Sequence, residues 1–422
     1  MYRRGVWRTA LTASSLGLGF VCSTKKFPMN YATNDGAKPV APPTAAGKVT
    51  LSDKQIKELI FDNISLLCGT ASKELGQKIA GHLGTKLTDM EVVRFSDGEV
   101  SCVINESIRG KDVFIIQTCS QPVNDNIMEL LLTITAARRS GANRIIAVVP
   151  YFAYKYHRRG LPISSLSHSR FLWSASNDLA KMLQTVGVDG VLSVDLQRPG
   201  QGHEASFFDS TVPVETLTSV NMFVSYFKDN IDLGDDVVIV SPNTECAKRA
   251  RKFQKKLSAA TGKAVGYASF IDAGTALSNT EDNKQGVTTS TSELLGEVTG
   301  ADVIVIDDVV ETGETLISLC RKLIQQGAKR IYFCAPHGMF TQEALQLIDQ
   351  APVELVVVSD SVPLPKQHKS KIVQVSLAYD LARIIEKEAL VVTTENHEQG
   401  KIMHVNSPEK SLEEEVEEYD LE

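Results

Sequence analysis

Short runs rich in β-branched residues, apolar at nearly every position, recur along this chain with helical patterns between them. No other feature restricts the fold as much. The runs predict strands at Val113–Gln117, Arg144–Pro150, Gly190–Asp195, Asp236–Ser241, Val303–Asp307, Arg330–Ala335 and Glu354–Ser359. The patterns between and beside them predict helices at Ser72–Leu83, Asn126–Ser140, Asn177–Val186, Cys246–Ala260, Glu314–Gln326 and Leu377–Lys387. A strand that is apolar on both faces must be covered on both, and parallel neighbours need a crossover helix. The expected fold class is therefore α/β, with mostly parallel sheets carrying helices on both faces. Gly84, Gly141, Gly187 and Gly327 follow four of the helices at the position where a left-handed cap favours glycine.

Two stretches echo each other. Asp112-Val113-Phe114-Ile115-Ile116 leads through a helical pattern to Gly141-Ala142-Asn143-Arg144-Ile145, with Pro150 nine residues after the glycine. Asp302-Val303-Ile304-Val305-Ile306 leads likewise to Gly327-Ala328-Lys329-Arg330-Ile331, with Pro336 again nine residues on. Matched punctuation of two strand–helix–strand units indicates a duplicated domain. The expected organisation is residues 1–52 as a targeting or disordered segment plus linker, domains at 53–212 and 213–392, and an acidic disordered tail at 393–422.

Charge locates the ends. The net charge is −7. Residues 407–422 hold Glu409, Glu413, Glu414, Glu415, Glu417, Glu418, Asp420 and Glu422 against Lys410, so the tail carries the imbalance and the rest of the chain is neutral. A neutral body argues against bulk electrostatic binding of nucleic acid, though it leaves room for a local basic groove. Before Asp35, the first acid, come Arg3, Arg4, Arg8, Lys25 and Lys26 among Ser, Thr and Ala. Such a start resembles an organellar transit peptide, mitochondrial targeting included. Leu11–Cys22 also fits a signal-peptide core, and an unstructured tail fits equally. The seven cysteines show no CxxC pair, which excludes a zinc motif or a disulfide framework and predicts buried thiols in a reducing compartment. No apolar run is long enough to span a membrane. The expected location is intracellular, cytoplasmic or organellar.

The sharpest local pattern is Val303-Ile304-Val305-Ile306-Asp307-Asp308-Val309-Val310-Glu311-Thr312-Gly313-Glu314-Thr315. A buried strand ends in two carboxylates, and a Thr/Gly turn opens a helix. Ligands of open α/β sheets sit beyond the carboxyl ends of strands, and free amides at a helix start suit a phosphate. An acidic first turn before an ordinary helix is the plainer alternative.

That segment, together with Cys68-Gly69, Ser72–Gly84, Arg94-Phe95-Ser96-Asp97-Gly98-Glu99, Val123–Leu130, Leu161–Ser164, Val194-Asp195-Leu196, Phe207-Phe208-Asp209, Ser241-Pro242, Ala247–Ala250 and Pro336-His337-Gly338, resembles the ribose-phosphate diphosphokinase (phosphoribosyl pyrophosphate synthetase) family over about Leu66 to Leu390. The resemblance implies two tandem phosphoribosyltransferase-type domains assembled into oligomers. It also implies magnesium-dependent transfer of the β,γ-diphosphoryl group of ATP to ribose 5-phosphate, releasing AMP. In this sequence it places Phe95, Asp97, Glu99, Tyr156 and His157 at ATP, and Asp307, Asp308, Glu311, Thr312, Gly313 and Thr315 at ribose 5-phosphate. Positions 197 and 243 become metal-ligand positions. Such chemistry rests on positioning and on cations over the phosphates.

The chain departs from the family pattern where the reaction takes place. Gln197 stands for a histidine, Asn243 for an aspartate, Glu311 for a second aspartate, Glu314 for a glycine, and Tyr156-His157 for an Arg-Gln pair. Asn243 drops the carboxylate a hard cation prefers. Between Gly266 and Gly286, where the family carries a Lys-x-Arg pair, stand Lys284 and the acids Asp272, Glu281 and Asp282. Cationic groups of that kind contribute about 10³–10⁵ in rate in phosphoryl transfer. An extra stretch between Ser164 and Met182 brings His168, Arg170, Phe171 and Trp173, a subunit contact, a closing loop or a plain surface insertion. His203 is a poorly placed candidate to replace the missing histidine. The expected function is a catalytically weak or silent regulatory subunit joined to active paralogues, with magnesium binding weakened or lost. An active diphosphokinase and a stand-alone sugar-phosphate sensor remain the alternatives.

Overall fold

The computed structural model describes residues 62–154, 175–196, 208–272, 292–365 and 371–398, all within one compact unit, Lys48–Glu422. Residues 1–52, the acidic tail, Leu161–Ser164, His203 and Lys284 lie outside them, as do His168, Arg170, Phe171 and Trp173.

The first sheet has the order β1 (Ile64–Cys68), β4 (Asp112–Ile116), β5 (Arg144–Val149), β6 (Gly190–Val194) and β7 (Val214–Leu217), every neighbour parallel. The second runs β10 (Ser292–Leu295), β9 (Val265–Asp272), β8 (Val237–Ser241), β11 (Asp302–Ile306), β13 (Arg330–Ala335), β15 (Leu355–Ser359) and β16 (Ile372–Val375), parallel except at β10. The α/β class with helices on both faces is as expected.

Alternate side chains divide between the faces of each sheet. On the first, Val113, Ile115 and Ala147 meet α2 (Val123–Arg139) and α3 (Ala175–Val186) through Ile127, Leu130, Leu179 and Leu183. Phe114, Ile116 and Val148 turn the other way, to Leu75 and Ile79 of α1 (Lys73–Leu83). On the second, Val303 and Val305 meet Leu316 and Leu323 of α6 (Glu314–Gln325) and Ile348 of α7 (Gln342–Gln350). Ile304 and Ile306 meet Phe223 and Phe227 of α4 (Val220–Asn230) and Phe253 and Leu257 of α5 (Ala247–Thr261).

The repeat seen in the sequence is a repeat of structure. Asp112 stands opposite Arg144, and Asp302 opposite Arg330, in the same register. The Gly110 amide donates to the Gly141 carbonyl and the Gly300 amide to the Gly327 carbonyl, both at 2.8 Å. All four cap glycines predicted after helices have positive φ.

The sheets divide the chain differently from the expected boundary at residue 212. Residues 214–217 form β7, which completes the first sheet beside β6. The last helix, α8 (Ala378–Glu398), runs past the expected end at 392 and belongs to the first sheet's packing. Its Leu381, Ala382 and Ile385 lie in one cluster with Leu66, Ile79 and Phe114. Burial against a sheet already apolar on that side draws the helix back across the molecule.

Candidate functional site

The site is built where β11 ends. The strand is fully buried, so Asp307, directly after it, leaves the sheet still inside the protein, only 7% exposed. Its Oδ1 accepts the Asp308 amide at 2.8 Å and the Cys246 thiol at 3.4 Å. Burial first, and then the Asp308 charge, push the Asp307 carboxyl up to about 7. Burial and the same two carboxylates raise the Cys246 thiol far above its ordinary value. The thiol therefore stays protonated and donates to Asp307.

The chain then forms β12 (Val309–Val310), which pairs in parallel with β14 (His337–Gly338). The amides of Met339 and Thr341 donate to the Val310 and Glu311 carbonyls at 2.7 and 3.2 Å and fix the loop from below. Gly313, at φ 77°, turns the loop into α6, a conformation that costs any side-chain-bearing residue more. No side chain caps this helix start. Glu311, Thr312, Glu314 and Thr315 are exposed around it, with Asp308 half-buried. All six predicted sugar-phosphate residues are thus brought into one loop. It is an open helix start ringed by carboxylates, and Glu314 sits in its first turn.

Asn243 lies on the same side of the sheet but is turned to the backbone. Its Oδ1 accepts the Cys246 amide at 2.9 Å, and its carbonyl accepts the Ser241 hydroxyl at 2.7 Å. The ligand atoms of Cys246, Asp307 and Asp308 lie within 4.8 Å of one another. This donor set fits magnesium poorly. Hard cations take carboxylate and carbonyl oxygens, whereas here a protonated thiol stands among the donors and the amide oxygen of Asn243 is engaged. Gln197, the other predicted metal position, lies outside the described residues, as do Tyr156 and His157.

The remaining nucleotide candidates form a second cluster on the first domain. Phe95, Asp97 and Glu99 occupy the turn between β2 (Met90–Arg94) and β3 (Val100–Ile104), which pair antiparallel. The Phe95 amide donates to the Glu99 carbonyl at 2.9 Å, and the Glu99 amide to Asp97 Oδ1 at 3.0 Å. The Phe95 ring is 52% exposed, an apolar plane open to stacking.

Three further arrangements were not read from the sequence. Cys246 reaches Asp307 across 61 positions, and its place three residues after Asn243 was the only signal. Arg249, on α5, approaches Asp195 just beyond β6, with Nε 3.9 Å from Oδ1. Asp195 is buried with φ 45°, and its other oxygen accepts from the Ser219 hydroxyl and, at 3.2 Å, the Ser219 amide. Finally, Glu129 is fully buried under the β2–β3 hairpin. It accepts the Thr70 amide at 2.6 Å, the Thr70 hydroxyl at 2.7 Å and Arg94 at 3.5 Å.

Comparison with known proteins follows the two halves of this layout. Residues 64–187 match the model of the N-terminal domain of ribose phosphate pyrophosphokinase, and residues 277–393 match the phosphoribosyl synthetase-associated domain. The ribose-phosphate pyrophosphokinase of Aquifex aeolicus is 35% identical over 320 residues, covering 75% of this chain and 93% of that one. The Vibrio cholerae protein of the same name is 37% identical over 329 residues, covering 77% and 96%. A crystal structure of phosphoribosylpyrophosphate synthetase from Mycobacterium smegmatis superposes with a TM-score of 0.64 at 27% identity, over 79% of this chain and 99% of the other.

Proposed function

The chain belongs to the ribose-phosphate pyrophosphokinase family, and within it we propose that this member is a catalytically weak or silent subunit that acts by associating with active paralogues. The observation that carries the reading is Glu314, exposed in the first turn of α6 at the helix start where a sugar phosphate would dock. A carboxylate there gains from the helix dipole and repels a phosphate for the same reason. Two features of the same site and one of the sequence add to it. The Asn243 oxygen is spent on the Cys246 amide. A protonated thiol contacts Asp307. Between Gly266 and Gly286 the sequence supplies Lys284 as its one base. Removing cations and metal donors weakens stabilisation of the transferring phosphates more than it weakens folding.

The reading is tested with the purified full chain, ATP, magnesium and ribose 5-phosphate. AMP release should stay at background, and adding the chain to an active paralogue should alter that paralogue's output. Robust turnover by the chain alone would remove the proposal. The other reading, an active magnesium-dependent diphosphokinase, draws on Asp307 and Asp308, which still stand beyond a parallel strand, and on the uncapped start of α6. ATP and ribose 5-phosphate as ligands, and assembly into homo- or hetero-oligomers, belong to the same proposal.

A further inference from the structure

Beyond its start at Cys246, α5 is unlike every other helix described. Its sequence holds Lys248, Arg249, Arg251, Lys252, Lys255 and Lys256 and no acid. Ala250, Phe253 and Leu257 bury one face in the second sheet's core, and Arg249 turns inward to Asp195. The other five cations are exposed. Their spacing of three, four, seven and eight residues sets them in one stripe about 12 Å long.

Among the described residues, none of the five makes an ion pair. Arg251 lies 3.8 Å over the ring of Tyr267, and Lys263, just past the helix, is taken by Asp235. Lys248–Lys252, Arg251–Lys255 and Lys252–Lys256 are like-charge pairs one turn apart, and each disfavours the helix that carries it. An anionic partner would relieve all three at once.

The sequence holds one such partner. The neutral body and the eight acids of Glu409–Glu422 leave the chain's surplus negative charge in that segment. We propose that Glu409–Glu422 docks on the basic stripe of α5 in the same chain. The described residues end at Glu398 on α8, and the intervening residues can extend about 35 Å. Met222, on α4, packs against both the core cluster of α8 and that of α5, so the two helices border adjoining parts of the core. The proposal does not depend on whether the chain is catalytic.

The test is zero-length carbodiimide cross-linking of the full chain, mapped by mass spectrometry on an equal mixture of ¹⁵N-labelled and unlabelled protein. Links from Lys248, Lys252, Lys255 and Lys256 to acids at 409–422 are expected within one isotope label. Their yield should fall about ten-fold when salt is raised from about 50 mM to 500 mM, as screening shortens the reach of exposed charges. In a Lys252→Glu, Lys255→Glu, Lys256→Glu variant the links from Lys248, which keeps its amine, should also be lost. In a tail variant with Glu413, Glu414, Glu415, Glu417 and Glu418 each changed to Gln, links from the stripe to the remaining Glu409, Asp420 and Glu422 should fall as well, with the helix untouched. Links from the stripe only to acids elsewhere in the chain, or no links at low salt, would overturn the proposal. Links joining labelled to unlabelled chains would overturn it too, since the occupant would then be a second copy.

Discussion

At Asp307 the protein holds a carboxyl where it is hard to ionise. The folded chain keeps that proton up to about pH 7, against an ordinary value of 3.8, so the folded state binds it more tightly than the unfolded state. Stability from this group is fully present below about 3.8 and is lost as pH rises through about 7. The Asp307→Asn variant lacks the titration. Its melting temperature relative to the parent should therefore rise between about pH 4 and pH 7 and level off above, a trend that paired thermal melts would check. Cys246 makes a separate case. Replacing it with Ala removes the hydrogen atom donated to Asp307 and should cost about 1–2 kcal/mol, read from urea unfolding at neutral pH. If the site can be restored, the combined changes Gln197→His, Asn243→Asp and Glu314→Gly should strengthen ribose 5-phosphate binding in calorimetry. Unchanged binding would indicate that the pocket itself has been remodelled.

Among the elements, the strands and helices that were read correctly are those whose pattern is complete within the segment. β4 and β11 are apolar after their opening Asp112 and Asp302, and α6 starts and stops on local signals. The β2–β3 hairpin escaped because its strands are half-exposed and held from outside, by Arg94 on Asp125 at 3.1 Å and on the buried Glu129. α4 and α7 escaped for the opposite reason, since their signals were present. Val220, Phe223, Val224 and Phe227 have helical spacing but strand-like composition, and Thr341 caps α7 by accepting the Ala344 amide at 3.2 Å. The support under the hairpin is tightly fitted. A Cβ on Gly69 would meet Gln117 Oε1 at 2.3 Å and Glu129 Oε1 at 2.8 Å. Glu129→Ala leaves the Thr70 donors and Arg94 without their acceptor and should cost about 3 kcal/mol in urea unfolding. The same change should loosen the hairpin, seen as faster amide exchange at 90–104.

Across the whole molecule, the two sheets are interlocked rather than placed in series. Thr118 donates to the Ser361 carbonyl at 2.7 Å, Lys78 pairs with Asp360 at 3.2 Å, and Arg144 reaches Glu388 on α8 at 3.3 Å. The burial of Leu381 and Ile385 contributes about 5 kcal/mol to the first sheet, comparable with the whole margin of a typical domain. A chain ending at Ser376 should therefore fail to hold its N-terminal domain folded. The full chain should unfold in one calorimetric transition, with matching van't Hoff and calorimetric enthalpies. A folded, cooperative fragment spanning 62–217 would contradict this.

The α/β class, the duplication, the helix caps and the loop Asp307–Thr315 are legible in the order of amino acids, because each of these is written in a short window by periodicity, turn chemistry and charge. Folding alone sets that Cys246 meets Asp307, that Arg249 approaches Asp195, and that the last helix returns to the first sheet. Those contacts join residues far apart in the chain. They are set by which apolar faces bury one another, and no local pattern records that.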